Sequence, residues 1–512
     1  MVSKNTGSIG YWLTKWSQLE TNSTALIEGN EKLTYGEFNS RVNRLANSLK
    51  DELNVKKGDR VGTLTRNRME FLEAWFAAAK LGAILAPFNF RLAEEELEYL
   101  FEDAAPEILI YERSFKEKVE SVNPSSAGIK HAIEITDDRT DEYERLVESG
   151  VNKESRTNVD IDDPCIIPYT GGTTGLPKGA VLTHKNITYH SLSMIKNYGD
   201  ITSRDTTLTL LPLFHTGGFD IFTTPTIYQG ARLILQRSFD PEGVLETIQE
   251  YEVDLMFGVP TIYKRIAESQ KFEETDLSSI RTLTCGGDYC PPEIMKIYQE
   301  KGVRFVHGYG LTESGPGVLS NIYTDDKAEE KSRNGSVGKP FFYSEVKIVD
   351  DDGNEVDEDV TGELLTRGPH VMKEYWNKPE ETEEAFRGDW LKTGDLARRD
   401  KDGYYYIEGR KKEMIVSGGE NIYLSEVERV LTSYPEIENA TVIGVSDEEW
   451  GQVGKAIIVP NQGEELPREK IIEYCQGKLA KFKIPKFFEF TDSLPVGPAG
   501  SIEKEKLKEK YG

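Results

Sequence analysis

The stretch Tyr169-Thr-Gly-Gly-Thr-Thr-Gly-Leu-Pro-Lys-Gly179 decides how this chain reads. It sets four glycines, three threonines and one lysine within eleven residues. Glycines let the backbone approach a ligand closely and take up φ > 0, which is the use of Gly171, Gly172 and Gly175. Successive backbone N–H groups in such a loop form an anion-binding concavity. The hydroxyls of Thr170, Thr173 and Thr174 add neutral donors, and Lys178 adds a positive charge on a flexible stem. The loop therefore reads as a cradle for a polyphosphate. It differs from the P-loop of nucleotide hydrolases, which runs Gly-x-x-x-x-Gly-Lys-Ser/Thr straight into a helix. Here Pro177 precedes the lysine. The flanks Cys165-Ile-Ile-Pro-Tyr169 and Ala180-Val-Leu182 are apolar and read as strands, so the cradle is expected between two strands.

Outward from this loop the chain alternates between strand and helix patterns. Thr34-Tyr-Gly-Glu37 is a capping-box pattern opening a helix whose Phe38, Val42, Leu45 and Leu49 share one face. Asp59–Leu64 reads as a strand, Glu70–Lys80 as a helix and Ala83–Ala86 as a strand. The alternation recurs as strands at Thr207–Leu211, Arg232–Leu235 and Asp254–Phe257, with helices from Phe219 and Pro241. Such alternation implies parallel sheets flanked by helices. Around Phe342–Arg367 the pattern changes to antiparallel strands about the turn Asp350-Asp-Asp-Gly353. After the polar, glycine-bounded stretch Gly409-Arg-Lys-Lys-Glu413 comes a unit of about a hundred residues. It has helices at Ser425–Leu431 and Pro467–Leu479 and strands at Ala440–Val445 and Lys455–Val459. The expected class is α/β: a large N-terminal domain of flanked mixed and parallel sheets with a β-rich subdomain, and a small mobile α+β C-terminal domain.

At 512 residues the chain exceeds one ordinary core. A formal net charge of −26 argues against nucleic acid and against anionic membrane surfaces. The most apolar segment, Ala74–Phe88, carries Lys80 and Pro87 and is too short to span a bilayer. It reads as a buried helix followed by a strand. Four cysteines without metal-site spacing read as reduced thiols. With no signal-peptide pattern at the N-terminus, a cytoplasmic location is expected.

Further motifs follow in order: Thr361-Gly-Glu-Leu364, Lys392-Thr-Gly-Asp395, Tyr406-Ile-Glu-Gly-Arg410, Ser417-Gly-Gly-Glu-Asn421 and, before them, His307-Gly-Tyr-Gly-Leu-Thr-Glu313. With the phosphate-loop stretch, this ordered set resembles the acyl-adenylate-forming (AMP-binding) superfamily, in particular its acyl-CoA synthetase, or acid–CoA ligase, branch. The resemblance covers essentially the whole chain. It implies an adenylation domain over residues 1–411 and a small domain over 412–512 that rotates about a hinge at Lys412 between two half-reactions.

The resemblance also implies roles for single residues. Glu313, with Thr174, would hold Mg²⁺, a cation that suits hard oxygen ligands. Thr312 would hydrogen-bond the α-phosphate, and Tyr309, flanked by His307, Gly308 and Gly310, would stack on the adenine. Asp395 would accept both ribose hydroxyls, as a carboxylate can, and Arg410 would add a fixed charge. Gly286 and Gly287, at the end of an apolar run, let a flat base pack on backbone. Asp288 departs from the small residue common in the family; a contact to the adenine amino group, a contact to the acyl group, and neither of these all stay open. Leu211-Pro-Leu-Phe-His-Thr-Gly-Gly-Phe219 resembles the segment lining the acyl pocket. It makes His215 and Phe219 substrate contacts, with Phe257 and Val259 on another wall. Their apolar character favours a fatty or aromatic acid over an amino acid. Ser417, Gly418, Gly419 and Glu420 would meet the pantetheine arm of CoA. No carrier domain follows, so free CoA is the expected acceptor. ATP, CoA and a carboxylic acid are thus the expected partners, with a homodimer also compatible with the resemblance.

One position departs sharply. The family ends in Gly-Lys-Ile-x-Lys, whose first lysine reaches the carboxylate and α-phosphate during adenylation. Here the loop is Gly500-Ser501-Ile502-Glu503-Lys504. Ser501 brings no charge, so adenylation is expected to be impaired. An engineered trap, a natural variant using another residue and a true loss of activity are the three readings, and the intact ATP motifs favour the first. A catalytically silent binder of ATP or acyl-adenylate, or a stand-alone protein loading a separate carrier, are the alternatives to a ligase.

Overall fold

The computed structural model describes residues 7–125, 127–170, 176–198, 201–321, 335–417, 420–461, 466–476, 478–497 and 502–512, without the side chains of 420 and 421. These fall into two compact units, Met1–Val346 with Thr366–Leu391, and Lys347–Leu365 with Lys392–Gly512. The second unit therefore takes in the β-rich segments 347–365 and 392–411 as well as the expected C-terminal domain.

Two large sheets form the frame of the first unit. In one, the parallel strands Phe305–Tyr309, Thr282–Cys285, Leu255–Gly258, Thr206–Thr209, Arg232–Leu235 and Thr24–Glu28 lie side by side in that order. Antiparallel strands close both of its edges. In the other, Pro164–Ile166, Ile84–Pro87, Arg60–Leu64, Ile108–Glu112 and His131–Ile135 run parallel, Lys178–Thr183 lies antiparallel beside Pro164–Ile166, and Glu374–Tyr375 pairs outside it. Parallel neighbours need crossovers of a dozen residues or more, and helices supply them. The capping box at Thr34 forms as expected: Glu37 N–H donates to Thr34 Oγ1 at 3.2 Å, and Glu37 Oε2 accepts from Thr34 N–H at 2.8 Å. Helix Tyr35–Asp51 follows. In helix Met69–Leu81 every residue is buried. A helix hidden on all sides is mostly apolar, and its three buried charges are paired, Glu70 with Arg68, Glu73 with Arg41 and Lys80 with Glu154. Side chains from both sheets and these helices join in one continuous core.

The expected helix from Phe219 forms in two pieces, a π-helical turn Phe219–Thr223 and then Thr224–Tyr228. Periodicity does not distinguish these hydrogen-bonding patterns.

In the second unit, Met414–Ser417, Glu420–Tyr423, Ile437–Asp447, Gly451–Pro460 and Phe487–Phe490 form a sheet. Helices Leu424–Thr432 and Arg468–Gln476 pack on it around a separate core. Strand Trp390–Arg399 pairs antiparallel with Tyr405–Arg410.

Candidate active site

The two strands flanking the phosphate loop pair antiparallel, Tyr169 opposite Gly179 and Thr170 opposite Lys178. The cradle thus sits between two strands, as its flanks imply; Gly171, Gly172, Thr173, Thr174 and Gly175 themselves lie outside the described residues. Tyr169 anchors one end. Its hydroxyl donates to Asp103 Oδ2 at 2.7 Å, and its ring stacks on Phe88.

Glu313 sits in a single 3₁₀ turn, Thr312–Ser314, after strand Phe305–Tyr309. The turn is held from outside, since Glu313 O accepts from Met372 N–H at 2.8 Å. The Glu313 carboxylate receives Tyr375 OH at 2.8 Å and Thr170 Oγ1 at 3.4 Å, both on Oε1. The ammonium of Lys178 lies 5.1 Å from the Tyr375 ring centre. Lys178, Thr170 and Glu313 are therefore brought together by Tyr375, which the sequence reading missed. Tyr375 pairs with Ala180 across an edge strand of two residues, and so short an element leaves no pattern to read.

Both hydrogen bonds to Glu313 among the described residues use one oxygen. Among those residues no cluster of three or more His, Cys, Asp or Glu could hold a metal ion by itself.

On the acyl side, Thr312 Oγ1 lies 3.2 Å from Thr216 Oγ1, so the phosphate turn and the segment carrying His215 touch directly. His215 is half-buried beside Phe214, their ring centres 4.4 Å apart. Burial, and then the charge of Arg91, push its pKa down to about 4, so its imidazole is neutral at pH 7. Its Nε2 has no hydrogen-bond partner among the described residues. Thr216 and Arg91 are further neighbours that the sequence reading did not single out. Phe257 lies between two glycines: a β-carbon added at Gly217 would fall 3.2 Å from its ring and one at Gly286 3.3 Å. Val259 stands over Gly287. Phe219 is fully buried and packs edge-on against Trp75, ring centres 5.4 Å apart, so it faces the core.

The base-side residues sit on neighbouring strand ends. Gly286 follows strand Thr282–Cys285, and Cys285 is opposite His307. His307 Nε2 lies 3.1 Å from Asp288 O, tying the two strand ends together. The Asp288 side chain is exposed and accepts from Tyr289 N–H at 2.7 Å, a contact within its own loop. Gly308 passes Tyr198 closely enough that a β-carbon would fall 2.5 Å from its hydroxyl oxygen. At Gly310 it would fall 1.8 Å from Pro316 O. Tyr309, between them, is half-buried.

In the second unit Asp395 and Arg410 are directly opposite in register. Arg410 Nε lies 2.9 Å from Asp395 Oδ1. Asp395 is nearly buried, and Thr393 Oγ1, which donates to Leu364 O, accepts from its N–H. Lys412 lies in the 3₁₀ turn Lys411–Glu413, which joins strand Tyr405–Arg410 to Met414–Ser417. Ser417 is buried at the end of its strand. Gly418, Gly419, the Glu420 side chain and Ser501 lie outside the described residues. Lys504 is mostly enclosed, pairing with Glu413 and, at 3.0 Å, with Glu428. Burial alone would lower its pKa; Glu428 and Glu413 more than offset that and hold it above the ordinary value.

Thr170, Lys178 and Glu313 thus gather around Tyr375, and the turn after Glu313's strand reaches the His215 segment through Thr312 and Thr216. The chain belongs to the AMP-binding enzyme family, in its acid–CoA ligase branch: the family profile matches residues 13–376, and that of the AMP-binding enzyme C-terminal domain matches 426–500. It is 38% identical to a feruloyl-CoA synthase of Amycolatopsis sp over 504 residues, 98% of this chain and 99% of the relative. It is 34% identical to an indoleacetate–CoA ligase of Aromatoleum aromaticum over 500 residues, 97% of each. Among solved structures it is similar to a Mycobacterium tuberculosis fatty acyl CoA synthetase, with a TM-score of 0.80, 32% identity and 99% of each chain covered. No described helix is long and apolar enough to cross a membrane.

Proposed function

We propose that this protein is an ATP-dependent ligase that activates an apolar carboxylic acid, fatty or aromatic, as its acyl-adenylate and then transfers the acyl group to CoA. In the first step a carboxylate oxygen attacks the α-phosphorus of ATP and pyrophosphate leaves. In the second the CoA thiol attacks the acyl carbon, the thiol proton is lost and AMP leaves. The observation that carries this reading is the direct contact between Thr312 and Thr216. It joins a turn suited to the α-phosphate to the segment holding His215, as in-line attack requires.

Lys178 and the donors of the phosphate loop take the β- and γ-phosphates. Glu313 and Thr174 would hold Mg²⁺, which would supply charge neutralisation to the phosphate oxygens. Thr312 donates to the α-phosphate, the site of greatest charge development, where preorganised donors count most. Neutral His215 offers Nε2 to the reacting carboxylate. Gly286, Gly287 and Tyr309 enclose the adenine, and Asp395 takes the ribose diol with Arg410 beside it. Ser417, Gly418, Gly419 and Glu420 admit the pantetheine arm after rotation of the small domain, residues 412–512, about Lys412. Two aryl-acid ligases among the relatives support an aromatic acid ahead of a fatty one.

Ser501 supports a weakened adenylation step. Lys504 does not replace the missing charge, because its ammonium is committed to Glu413 and Glu428. The same serine favours the second reading, a silent binder of ATP or acyl-adenylate. Pyrophosphate release from ATP, measured with CoA across a panel of aromatic and fatty acids, tests both. The ligase reading expects Ser501→Lys to be faster on at least one acid. Inertness of both proteins on every acid, with ATP still bound, would favour the silent binder.

A further inference from the structure

A polar cluster lies buried under the turn Thr312–Gly317. His190, on helix His184–Asn197, and Asp220, in the π-helical turn Phe219–Thr223, are both fully buried. Nδ1 of His190 lies 3.2 Å from Asp220 Oδ1, set off the hydrogen-bond line. Thr224 Oγ1 donates to the same carboxylate at 2.7 Å. Among the described residues His190 Nε2, Asp220 Oδ2 and His370 Nδ1 have no hydrogen-bond partner. Buried carboxylates are costly unless paired, and an apolar residue at either position would fill the same space. A π-helical turn is itself rare and often marks a functional segment.

The cluster touches both halves of the site. Asp220 belongs to the turn that continues the His215–Gly218 segment. His190 lies against the far end of the phosphate turn: a β-carbon at Gly317 would fall 3.1 Å from its Nε2. His370 completes the support. Its backbone oxygen would lie 2.6 Å from a β-carbon at Gly315, and its Nε2 lies 3.2 Å from Ser344 Oγ. Asn186, on the same helix as His190, donates to the carbonyls of Pro369 and Val371.

We propose that His190 and Asp220 are positioning residues for adenylation, a buried couple that fixes the acyl segment against the turn carrying Thr312 and Glu313. Neither touches a substrate. Both act through the relative placement of His215, Thr216 and Thr312, and the proposal rests on the acid–CoA ligase reading.

The test uses the full-length protein, H190Q, D220N and the double variant. Two probes are titrated by calorimetry: ATP, and an acyl-sulfamoyl-adenosine that mimics the adenylate of an aromatic acid. Loss of positioning leaves ATP binding within about twofold and weakens the acyl analogue about tenfold or more, as small misplacements do. The double variant is then no weaker than the worse single variant, because the couple is already broken. H190Q, which leaves Asp220 its Thr224 bond, carries the test if D220N does not fold. Losses that simply add, or ATP and analogue affinities that fall together with Tm, would mean a merely structural role and overturn the proposal. If the unsubstituted protein binds ATP but no acyl analogue across the aromatic and fatty series, the ligase reading falls and this proposal falls with it.

Discussion

The phosphate side and the acyl side of the site are built on opposite principles. On the phosphate side Thr170, Lys178, Glu313 and Tyr375 are polar, half-exposed and fixed by hydrogen bonds between strand ends. On the acyl side His215, Gly217, Phe257 and Gly286 are fixed by packing, with few hydrogen bonds. On the proposed reading, the first arrangement stabilises charge and the second selects shape. Substitutions on the phosphate side should therefore change rate on every acid, and those on the acyl side should change the choice of acid.

The largest expected effect is a gain. Ser501→Lys should raise acid-dependent pyrophosphate release by about 10²–10³, the usual size of a transition-state charge contact. Transfer from supplied acyl-adenylate to CoA should change far less, and equal gains in both half-reactions would break the assignment of this residue to adenylation alone. Next, Glu313→Gln should lower pyrophosphate release by about 10²-fold on all acids. Tyr375→Phe, which removes one bond to that carboxylate, should cost about tenfold. An effect of either confined to one acid would contradict the division into rate and choice.

On the acyl side, Gly286→Ala puts a methyl 3.3 Å from the Phe257 ring. It should raise KM for bulky aromatic acids about tenfold while leaving KM for small acids nearly unchanged, since crowding of this kind costs about 1–3 kcal/mol. A panel of acids of graded width reads this directly.

The smallest effect concerns pH. His184 and His215 both have pKa values lowered from the usual 6.5 to about 4, mainly by burial. The unfolded chain therefore takes up protons first as pH falls. Their contribution to stability is complete above about pH 6.5 and is lost as pH drops toward 4. In denaturant titrations between pH 6.5 and 4.5, His184→Gln should reduce the pH slope of stability by about 1.4 kcal/mol per pH unit. An unchanged slope would show that this imidazole is already charged in the folded protein.

The same division governs what could be read from the sequence. The phosphate side announces itself in glycine, threonine and lysine, because anion binding needs those residue types close together along the chain. The strands flanking the loop were legible from their apolar runs, and the capping box at Thr34 and strand Arg232–Leu235 from patterns equally local in the chain. Thr216, Tyr375 and the His190–Asp220 couple were not, since each owes its place to chain distant in sequence. Phe219 shows the converse. It lies in the expected segment, but the π-helical turn directs its ring toward Trp75, and residue spacing carries no sign of that turn.

The pairing of Thr170 with Lys178 has an entropic consequence. Seven residues separate them, and strand pairing holds their ends together in the folded protein. Closing a segment of that length costs about 2 kcal/mol beyond a constant. The sheet meets that cost once, during folding. On the proposed reading, the polyphosphate meets a segment whose two ends are already fixed. Affinity at this site depends on the strands as much as on the loop, and a substitution that frays Tyr169 from Gly179 should weaken anion binding without touching a single donor.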